Sequence, residues 1–349
     1  MVVDIKSFTR FLLRASVSEA NAVTNIKSRK FGRTEWDVSE IAYGAWQLGG
    51  QWGAVDDQES IDALLFAFDS GINFVDTAQM YGVGRSEEIV GRAIRQNKNG
   101  KVWVATKGQP PEWPSVDDPN PKYSMLYPKK YLRDQVEGSL RRLGVECIDL
   151  YQLHCWAPDG MKNQDWLEVL SEFQMQGKID KIGVSIRDYR PDDGVDLAKS
   201  GLVDSLQVIY NIFEQEPDKE LFQAAASSRT AIIARVVLDS GSLSGAWDES
   251  TYATWEPGSV LHTMFRDDRF KDTLERVSKL KADAGEGFQN LSELAVRFVL
   301  DRDEVSTAIL GMSSAKRILQ NIAFSNQPKL GAELKSILAR HEWRRNYYV

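Results

Sequence analysis

Eight short apolar segments alternate with stretches of helical spacing, and this alternation constrains the fold more than any other feature of the chain. The segments lie at residues 39–46, 72–76, 102–107, 147–154, 179–185, 205–211, 231–238 and 306–310. Strand and helix patterns that alternate in this way predict βα units built on a parallel sheet. Because eight βα units close naturally into a ring, we expect an α/β fold of the (β/α)8 TIM barrel type.

An open doubly wound sheet is the main structural competitor, and it needs a glycine-rich phosphate turn directly after its first strand. The stretch "AWQLGGQWG" follows the first strand here, but its glycines have the wrong spacing and no acidic residue is placed to bind a ribose. We therefore divide the chain into an N-terminal extension at residues 1–29, a barrel at 30–328, and a C-terminal helix and tail at 329–349. The extension is expected to be an amphipathic helix with Ile5, Phe8, Phe11 and Leu12 on one face.

Composition narrows the classes of function. The net charge of −7 argues against a nucleic-acid surface. The two cysteines are too few for a disulfide framework, and the three histidines argue against a multi-histidine metal centre, so no metal site is expected. No apolar run is long enough to span a membrane, and Asp4 and Glu19 argue against a secretory signal. We expect a cytoplasmic protein with a small-molecule partner and neither a membrane nor a nucleic-acid partner.

The ends of three consecutive strands carry reactive side chains. Asp76 ends "INFVD", Lys107 ends "VWVATK", His154 ends "CIDLYQLH", and Tyr81 lies in the loop after Asp76. Each residue alone has an ordinary explanation, such as a turn, a packing contact or a satisfied core histidine. In a barrel, however, the carboxyl ends of the strands form a common rim, where active sites lie. The fold would therefore bring all four side chains together.

This set of side chains suits the reduction of a carbonyl group. A hydride that reaches a carbonyl carbon builds negative charge on the oxygen, which then needs a proton donor. A phenol is a weak acid at neutral pH, and a neighbouring ammonium group eases its proton release. We expect Lys107 to play this part for Tyr81, with Asp76 holding the lysine charged and in place. His154 is expected to donate a hydrogen bond to the carbonyl oxygen.

Seven stretches resemble the aldo-keto reductases, in family order, between about residues 30 and 324. They are "FGRTEWDVSEIAYGAWQLGG", "GINFVDTAQMYGVGRSEEIVGRAI", "VWVATKG", "IDLYQLH", "IGVS", "LQVIYN" and "STAILGMSSAKRILQN". The resemblance implies a barrel that binds a nicotinamide cofactor and reversibly reduces an aldehyde or ketone. It assigns Tyr81 as the acid, with Asp76, Lys107 and His154 in support.

The resemblance also implies a set of cofactor contacts. Its nicotinamide end would comprise Trp46, Ser185, Gln207, Arg235 and Leu238, with Arg235 standing where many members have a stacking tyrosine. A guanidinium plane can also stack on a ring. The phosphate and adenine end would comprise Gly311, Ser313, Arg317, Gln320 and Asn321, at a strand-to-helix junction that favours anions. Because Arg317 can face a 2′-phosphate, NADPH is expected, with NADH possible.

The substrate pocket is expected to lie under two long loops, at residues 108–128 and 239–265. Their aromatic residues suggest pocket walls, and the predicted substrate-binding residues are Trp52, Trp113 and Trp156, with Trp247 bordering them. The tail "RRNYY" either closes over the site or forms a subunit contact. The oligomeric state stays open. Two other functions compete with a reductase: a cofactor-sensing binding subunit on the same barrel, and a metal-assisted hydrolase, which the scarcity of histidines disfavours.

Overall fold

The computed structural model describes residues 26–53 and 55–347, so the helix predicted before residue 26 lies outside the described residues. The predicted closed barrel is confirmed, with its eight strands all parallel. These are β3 (Ile41–Gly44), β4 (Phe74–Asp76), β5 (Trp103–Gly108), β6 (Ile148–Leu153), β7 (Ile179–Ser185), β8 (Ser205–Ile209), β9 (Ala231–Arg235) and β10 (Val305–Gly311). The ring closes where β10 pairs with β3, with Ala308 opposite Ile41.

Helices cover the outside of the barrel. In chain order they are α1 (Asp57–Asp69), α2 (Arg85–Gln96), α3 (Tyr123–Leu126), α4 (Lys129–Leu143), α5 (Asp165–Met175), α6 (Val195–Ser200), α7 (Leu221–Ser228), α8 (Val260–Met264), α9 (Arg269–Ala284), α10 (Leu291–Leu300), α11 (Ala315–Ser325) and α12 (Ala332–Ala339). Local signals set their ends. The Asp56 carboxylate accepts a hydrogen bond from the Glu59 amide at 2.9 Å and starts α1, and Gly144, with φ of 66°, ends α4.

A small antiparallel hairpin precedes the barrel, and sequence patterns do not predict it. It consists of β1 (Ser28–Lys30) and β2 (Asp37–Ser39), which are too short to show a period. Its turn carries Phe31 and Trp36, whose rings stack on Phe74 and Trp103 at centroid distances of 5.4 and 5.7 Å. The hairpin therefore plugs the amino-terminal end of the barrel with aromatic side chains and leaves the carboxyl-terminal end for the site.

The long loop after β9 packs on itself. Trp247 makes ring contacts with Trp255 and Phe265 at 5.0 and 4.9 Å, and Tyr252 packs on Phe270 at 5.5 Å. These side chains form a satellite core around Met264, Phe265 and Phe270. Trp247 thus helps to stabilise its own loop, because a long segment outside the barrel needs apolar burial of its own.

The C-terminal tail packs on loops at the carboxyl-terminal end of the barrel. The Trp343 amide donates to the Phe213 carbonyl at 2.8 Å, and Arg344 donates to the Tyr189 carbonyl at 3.1 Å. Arg345 forms an ion pair of 2.5 Å with Asp239, and both side chains are less than 10 % exposed. The loops after β7, β8 and β9 therefore hold the tail on the same side of the molecule as the candidate site.

Candidate active site

The ammonium group of Lys107 contacts two of the other three predicted side chains, Asp76 and Tyr81. Nζ of Lys107 donates to Oδ2 of Asp76 at 2.6 Å and to the Tyr81 hydroxyl oxygen at 3.2 Å. It also donates to the main-chain carbonyl of Thr77 at 2.8 Å. The strands explain this arrangement, because β4 and β5 are neighbours in register and both end at the rim. All three donor positions of the lysine are therefore used, and its side chain is completely buried.

Burial and charge act against each other at this cluster. Burial raises the pKa of Tyr81 above its usual value of 10.0, while the Lys107 charge acts to lower it. The lysine thus acts in the expected direction, but burial outweighs it, and Tyr81 keeps its proton at neutral pH. Burial alone would lower the pKa of Lys107, but Asp76 and Tyr81 together raise it, so the lysine stays charged.

His154 completes the cluster as a neutral ring. Burial lowers its pKa well below 6.5, and the charges of Lys107 and Arg235 act in the same direction. Its ring lies edge-on to that of Tyr81 at 6.1 Å. Among the residues that the structure describes, no group hydrogen-bonds Nδ1 of His154. A neutral imidazole carries one N–H donor, which can be directed at a bound oxygen atom.

Three tryptophans surround the cluster, and a fourth does not. Trp46 stacks on Tyr81 at 5.9 Å, Trp52 lies edge-on to Trp46 at 5.0 Å, and Trp113 lies edge-on to His154 at 5.5 Å. Trp156, predicted to bind substrate, is instead completely buried. Its indole N–H donates to the Asp193 carbonyl at 2.8 Å. That prediction is wrong because the chain turns inward after His154, which places Trp156 in the core behind the rim.

Residues predicted at the nicotinamide end lie beside the cluster. Ser185 and Gln207 are opposite each other in register on β7 and β8, and both are buried. The Gln207 amide nitrogen donates to Oδ1 of Asp76 at 2.7 Å. Arg235 ends β9 and is held by Asp188 at 2.6 Å. Leu238 is half-buried and starts the turn after β9, where its carbonyl accepts from the Gly241 amide at 2.8 Å.

Residues predicted at the phosphate end lie at the junction of β10 and α11. Gly311 ends β10, and Ser314 caps α11 by accepting a hydrogen bond from the Arg317 amide. The side chains of Ser313, Arg317 and Gln320 are exposed, and Asn321 is buried beside them. A side chain on Gly311 would meet only Gln47, at 3.6 Å, so the backbone is open to a ligand. This open helix start, with the exposed Arg317 in its first turn, fits an anionic cofactor group.

Two features of the site escaped prediction. The first is the main-chain carbonyl of Thr77, which accepts a hydrogen bond from Lys107 and which no side-chain pattern indicates. Gln152 donates to Oδ1 of Asp76 at 3.3 Å and is completely buried. A signal for it exists in the sequence, because Gln152 and His154 share a strand face with Leu150, which belongs to the apolar barrel interior.

Among the described residues no cluster of three or more acidic, histidine or cysteine side chains could hold a metal ion.

Comparisons with known proteins agree on a class. A family model described as "Aldo/keto reductase family" matches residues 40–339. The chain is 32% identical over 280 residues to the aldo-keto reductase YhdN of Bacillus subtilis, covering 79% of this chain and 81% of that protein. It is 26% identical over 314 residues to the NADH-specific methylglyoxal reductase of Escherichia coli, covering 86% and 94%. The solved glycerol dehydrogenase AKR11B4 of Gluconobacter oxydans superposes with a TM-score of 0.69 at 29% identity, covering 92% and 96%.

The closed barrel and these matches define an oxidoreductase that interconverts carbonyl and alcohol groups with a nicotinamide cofactor. The chain belongs to the aldo/keto reductase family. Within the described residues, no helix is long and apolar enough to cross a membrane.

Proposed function

We propose that this chain reduces a small aldehyde or ketone with NADPH and that Tyr81 supplies the proton. The observation that carries the proposal is the position of the Lys107 ammonium, 2.6 Å from Asp76 and 3.2 Å from the Tyr81 hydroxyl. No other arrangement among the described tyrosines joins a phenol to a buried lysine and a carboxylate. The distances suit proton transfer from a phenol that is protonated in the free protein.

The bound reduced nicotinamide supplies the hydride. Tyr81 donates its proton to the carbonyl oxygen as negative charge develops there. Lys107 stabilises the phenolate that remains, and Asp76 keeps the ammonium aimed at Tyr81. His154, neutral and without a described partner on Nδ1, orients the carbonyl oxygen. The burial of these groups strengthens each interaction, because little water screens the charges.

Residues at the two ends of the groove would hold the cofactor. Ser185 and Gln207 would bind the carboxamide, while Trp46, Arg235 and Leu238 would line the ring and the adjoining phosphates. Gly311 and Ser313 would offer backbone amides to the adenosine phosphate, and Gln320 and Asn321 would hold the adenine. The preference for NADPH rests on Arg317, which is exposed in the first turn of α11.

The substrate would be a small oxygenated carbonyl compound. Trp46, Trp52 and Trp113 provide apolar walls around Tyr81 and His154. Two relatives act on small oxygenated molecules, since one is named a methylglyoxal reductase and the other a glycerol dehydrogenase. Aromatic faces pack well on the C–H groups of such molecules, and the polar rim groups hold their oxygens.

A carbonyl panel with the Tyr81→Phe variant tests the assignment. Wild-type protein should oxidise NADPH with at least one small aldehyde or ketone, and Tyr81→Phe should lose at least about a hundredfold in kcat, since general acid catalysis contributes on this scale. Tyr131→Phe removes a similar hydroxyl from α4, which is not part of the Asp–Lys–Tyr–His cluster, and should retain full activity. If Tyr81→Phe reduces carbonyls at the wild-type rate, another group is the acid.

The cofactor preference has its own test. Arg317→Ala should weaken NADPH binding about tenfold and leave NADH binding unchanged, because only NADPH carries the additional phosphate. Arg340→Ala, at the exposed end of α12, is the matched control. Equal losses of affinity for both cofactors would show that Arg317 does not bind the 2′-phosphate.

The alternative of a cofactor-sensing binding subunit has weaker support, because the complete Asp–Lys–Tyr–His set is assembled at the rim. The same panel separates the two functions. Tight NADPH binding without turnover of any carbonyl would favour the sensing subunit over the reductase.

A further inference from the structure

The barrel interior contains an unusual polar layer that includes Asp76 of the reactive cluster. In (β/α)8 barrels, inward side chains from alternate strands fill the interior in layers, and bulky apolar residues dominate them. Here the alternate strands β4, β6 and β8 contribute Asp76, Gln152 and Gln207. All three are at most 3 % exposed. Burying two neutral amides is unfavourable unless they form hydrogen bonds, so this layer needs an explanation.

Both amides are directed at one oxygen of the carboxylate. The amide nitrogen of Gln207 lies 2.7 Å from Oδ1 of Asp76, and that of Gln152 lies 3.3 Å from the same atom. The other oxygen, Oδ2, accepts from Lys107 at 2.6 Å. The two oxygens of Asp76 thus have separate partners, with neutral donors on one side and the cation on the other. This division fixes the rotation of the carboxylate and keeps Oδ2 turned toward the lysine.

The backbone makes room for Gln152 at one glycine. A Cβ atom added to Gly183 on β7 would lie 3.0 Å from Cγ of Gln152 and 2.4 Å from Oγ of Ser205. A larger residue at position 183 would therefore crowd both the Ser205 hydroxyl and the stem of Gln152. The space beside Gly183 therefore fits the Gln152 side chain, and neighbouring Ser205, two residues before Gln207 on β8, has no hydrogen-bond partner among the described residues.

We infer that Gln152 is a positioning residue that, together with Gln207, holds Asp76 in the orientation that aims Lys107 at Tyr81. The inference rests on the proposed function of that cluster. Gln152 itself touches no reacting atom. Its effect passes through the carboxylate to the ammonium and then to the phenol. Because Gln207 is also proposed to hold the cofactor carboxamide, the polar layer would couple cofactor binding to the geometry of the proton donor.

Gln152→Met tests this role, because methionine has a similar length but no hydrogen-bond donor. We expect kcat to fall about tenfold with KM for NADPH nearly unchanged, since a hydrogen bond to a charged group contributes on this scale. Ser205→Ala also removes a buried polar atom from β8, two residues before Gln207, and should keep full activity. If Gln152→Met retains kcat within twofold, or if Ser205→Ala loses as much, the inference is wrong.

Gln152→Glu gives a signature that a purely structural role would not produce. While the introduced acid is protonated it can still donate to Asp76, so activity should approach that of wild type at low pH. As pH rises and the introduced acid ionises, two carboxylates repel each other and kcat should fall, in a range where wild-type kcat stays flat. A pH profile with the shape of the wild-type profile would contradict the proposed role.

A measurement on the cofactor-free protein separates this inference from the proposed function. The ¹³C signal of the Asp76 carboxyl group, assigned with Asp76→Asn, should move in Gln152→Met and stay in place in Ser205→Ala. An unmoved signal in Gln152→Met would overturn the inference whether or not the wild-type protein reduces carbonyls. Absence of wild-type turnover with a shifted signal would instead count against the proposed function alone.

Discussion

Replacing Lys107 by methionine tests the electrostatic core of the mechanism. Methionine keeps most of the side-chain length and fits an apolar interior, but it carries no charge. The change removes the ammonium that lies 3.2 Å from the Tyr81 hydroxyl and 2.6 Å from Asp76. Catalysis and stability should therefore both change, for different reasons that can be measured separately.

The expected loss of rate follows from the distance between the two groups. At 3.2 Å and an effective dielectric constant of about 20, Coulomb's law gives about 5 kcal/mol between the ammonium and a full phenolate charge. If about half of that charge has developed in the transition state, the loss is about 2.5 kcal/mol, or roughly 70-fold in kcat. The binding of NADPH should change little, because Lys107 is directed at Tyr81 and Asp76.

The stability change comes from the carboxylate that is left behind. Removing one partner of a buried ion pair typically costs about 3–5 kcal/mol, because the other charge stays buried without compensation. The double variant Lys107→Met with Asp76→Asn removes both charges. It should be more stable than Lys107→Met alone, yet no more active. Activity and stability are thus expected to separate in the double variant.

Steady-state kcat, followed by the loss of reduced-nicotinamide absorbance, and urea denaturation of the same samples provide the two measurements. A Lys107→Met variant with kcat within threefold of wild type would refute the electrostatic argument. So would a double variant that regains both stability and rate, since the low activity of Lys107→Met would then reflect unfolding alone.

Four further predictions concern protonation, packing and substrate binding. Since burial raises the pKa of Tyr81 above 10.0, the phenol keeps its proton up to that pH, and a kcat profile for carbonyl reduction should show no loss from phenol ionisation below pH 10.0. Burial raises the pKa of Glu214 from 4.5 to about 7, so its protonated form favours the folded state. Its contribution to stability should be complete below pH 4.5 and lost as pH rises through about 7, and Glu214→Gln should flatten this dependence of the urea midpoint. Trp156→Ala should destabilise the protein by about 3–5 kcal/mol, as typical for a buried tryptophan. Trp113→Ala, at an exposed position, should instead leave the urea midpoint unchanged and raise KM for the carbonyl.

The alternation of apolar segments with helical patterns was sufficient to predict the barrel, because closure needs only the number and type of units. The clustering of the candidate residues could be predicted for a related reason. Asp76, Lys107 and His154 each stand at the end of a predicted strand, and parallel strands deliver their carboxyl ends to one rim. The position of Tyr81 in the following loop then completed a set whose chemistry is recognisable.

Other features were beyond reach of local patterns. The plugging hairpin has strands of three residues, too short to show a period. The local sequence does not distinguish Trp156 from Trp113, yet Trp156 is buried and Trp113 is 49 % exposed. That difference depends on the path of the chain after each strand, which neighbouring loops determine.

The sequence alone thus determined the barrel and the end of the barrel where the four candidate side chains lie, because the strand segments and their ends follow from periodicity. Only the tertiary structure decided that the phenol stays protonated, which tryptophans reach the site, and that two glutamines hold Asp76. Each of these depends on burial and on distances between strands far apart in the chain, and neither quantity is encoded in any single segment.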